Sequence, residues 1–154
     1  MKRIKAASVL ALAIWLVHWS ANGDLMVAAQ GVDSLVMIAN KSNTSVSKMS
    51  KTDAKKLLLG QTTSWPNGGK VLIILRTVGS GDRAAVLQRV CGMSEAEYTR
   101  HNLQATFMGE TAASVIEAPS ATAIKSFVKS NPGAVGFLHV NEVDESVKAV
   151  WPVE

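Results

Sequence analysis

Short apolar runs alternate along the chain with segments that carry helix-capping and turn residues. Two runs, residues 34–39 (SLVMIA) and 71–75 (VLIIL), are apolar at nearly every position, which is typical of strands buried on both faces of a sheet. Three further strands are predicted, at residues 114–118, 134–140 and 146–150. Because helices are predicted between these strands, we expect an α/β fold with a mixed sheet flanked by helices on both sides.

Four helices are predicted from their start and stop signals. They cover residues 52–59, 83–91, 94–105 and 121–129. Thr52 is expected to cap the first helix and Ser120 the last, since a hydroxyl can accept a hydrogen bond from an amide of the first turn. The third begins with Ser94 and Glu97 in the S-x-x-E order of a capping box. Pro66 and the Asn67-Gly68 pair mark a turn before the second strand.

The first 23 residues have the order of charges and apolar residues that defines a secretory signal peptide. Lys2, Arg3 and Lys5 precede an apolar run over residues 6–17. That run is shorter than the about 20 residues that a membrane span needs, so an uncleaved anchor is the less favoured alternative. We expect cleavage between Gly23 and Asp24, with Ala29 as a second candidate. The prediction is a periplasmic or secreted protein with no stable membrane span after cleavage.

The mature chain would then comprise a leader, residues 24–33, and one domain, residues 34–154. Of the 16 Lys and Arg residues, three lie in the signal, which leaves 13 against 12 acidic residues and a formal net charge of +1. This near-neutral balance argues against nucleic acid as a partner. The single cysteine, Cys91, excludes an internal disulfide and follows an apolar stretch that predicts its burial.

The junction after the second predicted strand is the best candidate for a binding site. A buried strand ends at Arg76, glycines follow in the sequence Thr-Val-Gly-Ser-Gly-Asp, and a helix begins. Free amides at a helix start attract anions, and a guanidinium can clamp an oxyanion. We therefore predict a ligand site formed by Arg76, Gly79, Ser80, Gly81 and Asp82. The alternative is a turn that only connects two elements.

Patterns for catalysis or metal binding are weak in this sequence. His101, His139 and Cys91 lack the spacing of metal ligands. Ser80 lies in G-S-G and lacks the G-x-S-x-G frame of a nucleophile elbow. Acidic pairs such as Glu95 and Glu97 stand at helix starts, where acids are expected on electrostatic grounds. We predict neither an enzyme nor a cofactor.

Four segments in order resemble the phosphate-binding substrate-binding proteins of ABC transporters. They are VMIANKSN, SKTDAKKLLLGQTTSWPNG, ILRTVGSGD and the Asn-Pro-Gly-Ala-Val-Gly-Phe segment at residues 131–137. The resemblance implies a type II periplasmic binding protein fold, in which two α/β lobes close on an oxyanion. It places phosphate-binding roles on Arg76, Ser80 and Gly81. Asp82 replaces the family's threonine, and its carboxylate would repel an anion unless it turns away to cap its own helix.

The resemblance covers one lobe only, from about residue 35 to residue 150, so this chain is expected to be a short, single-lobe member. The first hypothesis is an exported solute-binding protein that holds a small, phosphate-like anion without covalent chemistry. An ABC permease or a second copy of the chain are the implied partners. The alternative is an envelope protein that uses the lobe to contact other proteins and binds no ligand.

Overall fold

The computed structural model describes residues 34–110 and 112–153. The predicted signal peptide, residues 1–23, and the predicted leader, residues 24–33, lie outside the described residues. Within the described part of the chain, no helix is long and apolar enough to cross a membrane.

Five strands and four α-helices make up the described chain. In order they are β1 (Leu35–Asn40), α1 (Lys51–Leu58), β2 (Leu72–Arg76), α2 (Gly81–Val86), a π-helical turn (Leu87–Cys91), α3 (Glu95–Phe107), β3 (Val115–Ala118), α4 (Ala121–Ser130), β4 (Ala134–His139), a 3-10 turn (Val140–Glu142) and β5 (Val147–Val153). All five predicted strands and all four predicted helices are present, with ends shifted by at most three residues.

The five strands form one mixed sheet in the order β3-β2-β4-β1-β5. Strand β2 pairs in parallel with β3 on one side and with β4 on the other. β1 pairs antiparallel with both β4 and β5. The predicted α/β class and the mixed sheet flanked by helices are confirmed.

Both faces of the sheet are covered, as the apolar runs predict. On β1, Met37 points into one apolar layer and Ile38 into the other, because successive side chains of a strand alternate between faces. The first layer packs against α1, the π-helical turn and α3, and the second packs against α4 through Ile124 and Val128. All six residues of β1 are buried.

The helix starts are set by side-chain caps, one of which differs from its prediction. Ser50, not Thr52, caps α1, and it exchanges hydrogen bonds with Asp53 in a capping box. The sequence order Ser-x-x-Asp fits such a reciprocal pair, whereas Thr52 already lies in the first helical turn. The capping box at Ser94 and the cap at Ser120 are confirmed.

The helix predicted at residues 83–91 begins two residues earlier and ends in a π-helical turn. In a π-helix the hydrogen bonds run between residues five apart, so the turn is wider than in an α-helix. Leu87, Val90 and Cys91 are all buried in this turn. Gly92 ends it with a φ of 72°, a conformation that glycine adopts without strain. The predicted burial of Cys91 is confirmed.

Candidate functional site

The carboxyl ends of three parallel strands meet at one edge of the sheet. Arg76, Ala118 and His139 are the last residues of β2, β3 and β4. Ligands of open α/β sheets bind outside the carboxyl ends of the strands. The candidate residues predicted from the sequence all lie at this edge. Arg76 ends β2, Gly79 and Ser80 lie in the turn that follows, and Gly81 and Asp82 begin α2.

The turn between β2 and α2 is tied to the neighbouring strand. The amide of Thr77 donates to the carbonyl of Ala118 over 3.1 Å, and the amide of Ser80 donates to the carbonyl of Thr77 over 3.1 Å. Gly79 has a φ of 87°, a left-handed conformation that a residue with a Cβ adopts only with strain. These contacts hold the start of α2 directly above the end of β2.

Ser80 is the N-cap of α2, so the interpretation of Asp82 as a capping residue is wrong. The Ser80 hydroxyl oxygen accepts from the amide of Arg83 over 3.2 Å. Its own hydrogen remains free to donate to a further group. Among the described residues, no acceptor bonds to the amides of Gly81 and Asp82. A hydroxyl and two amides therefore offer donors at the start of this helical segment.

The guanidinium of Arg76 lies beside these donors and is incompletely bonded. Its Nε is 3.5 Å from Oδ2 of Asp82, an ion-pair distance at which no hydrogen bond forms. Nε and Nη1 are buried and have no hydrogen-bond partner in the described part of the chain. Buried polar atoms are nearly always hydrogen-bonded, so this cation has unused donor capacity. The side chain as a whole is 26% exposed, so a solute can reach part of it, whereas Nε and Nη1 would have to turn outward to bond an anion.

Asp82 lies between Arg76 and His139, for which the sequence indicated no binding role. Oδ1 of Asp82 is 3.1 Å from Nε2 of His139. His139 is 57 residues further along the chain, and the sheet brings it next to Arg76 because β4 and β2 are parallel neighbours. Its position near the end of a predicted strand was the one feature of the sequence that could have identified His139 as a site residue.

A second guanidinium, that of Arg83 on α2, bonds to the end of β2 next to the site. Its side chain is 6% exposed, and Nε and Nη2 each donate to a Glu95 carboxylate oxygen over 2.8 Å. Nη1 donates to the carbonyl of Arg76 over 3.2 Å and lies 3.6 Å from Glu117. Arg83 is thus neutralised by Glu95 and Glu117, whereas Arg76 is partly exposed and keeps two nitrogens without hydrogen-bond partners among the described residues.

The turn at the site is exposed at Thr77, Val78, Gly79 and Gly81. Cavities of about 360 and 390 Å³ lie elsewhere, one beside Arg89 and Cys91 and the other beside His101 and Glu110. Among the described residues, no group of three or more His, Cys, Asp or Glu side chains could hold a metal ion. The donors at this edge, the Arg76 guanidinium, the Ser80 hydroxyl and the free amides, can attract an anion by charge and hydrogen bonding.

This fold, a mixed sheet with helices on both faces and donors at its carboxyl edge, is one lobe of the periplasmic-binding-protein type. It matches an ABC-type phosphate transport receptor from Vibrio cholerae with a TM-score of 0.62 and 25% sequence identity, over 78% of this chain and 46% of that one. It also matches a phosphate ABC transporter substrate-binding protein from Clostridium perfringens, solved with bound phosphate, with a TM-score of 0.63 and 25% identity. That match covers 78% of this chain and 45% of the other.

The same lobe occurs in a more distant structure, PstS from Borrelia burgdorferi, with a TM-score of 0.61 and 14% identity over 79% of this chain and 47% of that one. No family model matches the sequence. The predicted resemblance to phosphate-binding proteins of ABC transporters is thereby confirmed at the level of structure. The chain spans less than half the length of the structures it matches.

Proposed function

We propose that this chain is an exported solute-binding protein that holds a small, phosphate-like oxyanion at the carboxyl edge of its sheet. Arg76 would supply a charged clamp for the anion. The Ser80 hydroxyl and the amides of Gly81 and Asp82 would donate to its other oxygens, and Gly79 would allow the turn to approach it. The binding is non-covalent and requires no cofactor.

One observation supports this proposal above the others. Two buried nitrogens of the Arg76 guanidinium lack hydrogen-bond partners, among the described residues, beside a helix start whose amides also lack acceptors. Donors in such a group favour an oxyanion, since charge-assisted hydrogen bonds are about twice as strong as neutral ones. The likeness to a protein solved with bound phosphate agrees with the same class of ligand.

Exposure of the turn lowers the affinity expected for an anion. Hydrogen bonds to an exposed anion compete with water, so a site with one wall binds weakly. Val78 in the turn is 57% exposed, and Val140, which follows His139, is 44% exposed. We propose that a second copy of the chain or an ABC permease covers these two apolar side chains and supplies the other wall.

The test is calorimetric titration of phosphate and sulfate into wild type and Arg76→Ala. We expect saturable binding in the wild type and a loss of at least about tenfold in affinity in the variant, because it removes the charged donor. Arg89→Ala is the matched control, since Arg89 is an exposed arginine outside the site. It should bind as the wild type does.

Flat titrations for both anions would overturn the proposal and favour the alternative, a lobe that only contacts other proteins. Equal losses in Arg76→Ala and Arg89→Ala would show attraction by net charge instead of a site. Light scattering with and without phosphate would show whether a second copy covers the edge. Export is tested by the N-terminal sequence of the protein recovered from the periplasm or medium, which should begin near Asp24.

A further inference from the structure

The carboxylate of Asp82 is the obstacle to anion binding at this edge. It lies in the first turn of α2, beside the amides and the guanidinium that would bind the anion. A carboxylate there repels an anion, and it can also consume the donors of Arg76 by pairing with them. That pairing is incomplete in the structure, since Oδ2 remains 3.5 Å from Nε of Arg76 and that nitrogen is not hydrogen-bonded to any described residue.

His139 is the group that restrains this carboxylate. Its Nε2 lies 3.1 Å from Oδ1 of Asp82, and because a carboxylate oxygen only accepts, Nε2 is the nitrogen that carries the hydrogen. Nδ1 is buried and has no partner among the described residues, so the ring has no competing hydrogen bond there. Asp82 is thus attached to the sheet as well as to its own helix.

The backbone of His139 is fixed on two sides. Its amide donates to Oε2 of Glu142 over 3.0 Å, and the residue pairs across the sheet with Leu35. The imidazole therefore acts from a rigid support rather than from a loop. A rigid donor can hold the carboxylate in one orientation at little cost in conformational entropy.

We infer that His139 is a positioning residue that keeps Asp82 from pairing fully with Arg76, so that the guanidinium stays available to the anion. This role rests on the function proposed above. Without the imidazole, the carboxylate is free to rotate toward Arg76 and form a charge-assisted hydrogen bond with Nε. The anion would then have to displace an internal ion pair before it could bind.

The experiment measures phosphate affinity by calorimetry in the whole purified protein and in four variants. His139→Ala should weaken binding about tenfold, because the released carboxylate competes for the guanidinium. His139→Gln, whose side-chain amide can still donate to Asp82, should stay within about twofold of the wild type. Asp82→Asn should bind at least as tightly as the wild type. The double variant Asp82→Asn with His139→Ala should equal Asp82→Asn alone.

The double variant separates positioning from mere support of the fold. A structural role for His139 would weaken binding equally whether or not the Asp82 carboxylate is present, whereas the inference requires coupling between the two positions. If His139→Ala does not fold, as judged by circular dichroism, His139→Met repeats the comparison with a side chain that fills space and has no donor.

The outcomes distinguish the inference from the function on which it rests. Binding that depends on Arg76 but is unchanged in His139→Ala overturns the inference alone. An equal loss from His139→Ala in the wild type and in Asp82→Asn also overturns it. If the wild type binds no phosphate, the proposed function fails and the inference fails with it.

Discussion

The burial of Arg83 could not be predicted from the sequence. Arg83 stands at a helix start, where an exposed side chain would be expected, yet its side chain is 6% exposed. Burial of a guanidinium is tolerated only with a well-placed partner, and Glu95 provides two hydrogen bonds from the start of α3. This pair joins the helix above the site to the next helix along the chain.

Glu95→Gln should therefore destabilise the protein. Removing one partner leaves a desolvated cation, and because Glu95 is 27% exposed, part of the cost is relieved by water. We expect the free energy of unfolding to fall by about 2 kcal/mol, measured by urea denaturation. Glu145→Gln, at an exposed position before β5, is the control and should stay within about 0.5 kcal/mol. Equal denaturation midpoints in the two variants would contradict this account.

For individual residues, contacts between positions far apart in the sequence could not be predicted. The sequence predicted Arg76 and the Gly-Ser-Gly turn because strand, turn and helix start are adjacent. It did not predict that His139 meets Asp82, since that contact needs β4 to lie beside β2 in parallel. Nor did it indicate that Asp82 faces a histidine and an arginine rather than its own helix.

Among the strands and helices, β4 packs very closely against its neighbours at Gly136. A Cβ built there would lie 2.8 Å from Cγ2 of Ile124 on α4 and 2.9 Å from Cγ2 of Ile74 on β2. Those distances are too short for non-bonded carbon atoms. Glycine at this position lets the helix lie directly on the sheet.

Gly136→Ala should force β4 and α4 apart. We expect a loss of about 2 kcal/mol in the free energy of unfolding, because added volume in a packed core displaces its neighbours. Gly81→Ala is the matched control for stability, since its added methyl group meets nothing within 4 Å. A variant at Gly136 as stable as its control would show that Ile124 moves aside without cost.

The elements themselves were largely predictable, and their order in the sheet was not. Apolar runs and capping residues are local signals, so residues 71–75 and 121–129 predicted β2 and α4 to within one residue at each end. The order β3-β2-β4-β1-β5 depends on which faces pack together after folding. The π-helical turn likewise has no local signature, because its widened turn serves burial against the core.

The stability of the whole molecule should depend on alkaline pH through Cys91. Burial raises the pKa of its thiol from 9.0 to about 11, because the thiolate is poorly solvated there. The unfolded chain therefore loses this proton at lower pH than the folded protein does. The stabilising contribution is complete below pH 9 and is lost as the pH rises through the folded-state pKa.

Cys91→Ala removes that titration and tests the prediction. Between pH 9 and pH 11 the wild type should lose roughly 2 kcal/mol more than the variant, whatever the difference between them at pH 7. Denaturant unfolding at several pH values measures how the free energy of unfolding changes with pH in each protein. Parallel slopes would show that the thiol is solvated in the folded protein.

At the level of the whole molecule, the lobe was predicted from four segments that occur in the same order as in the phosphate-binding proteins they resemble. The matched structures confirm that lobe and extend beyond it, since this chain spans 46% of the first of them. The sequence could not show that two apolar side chains near the carboxyl edge, Val78 and Val140, are exposed.

The two border strands of the sheet affect whether copies of the protein can associate by β-pairing. On one side β5 carries Pro152, which has no N–H to offer to an incoming strand. On the other side β3 is only four residues long, and Glu117 on it adds an exposed charge. Neither border is a good template for intermolecular β-pairing, so amyloid-like growth along the sheet is disfavoured, and copies that associate should do so through side chains.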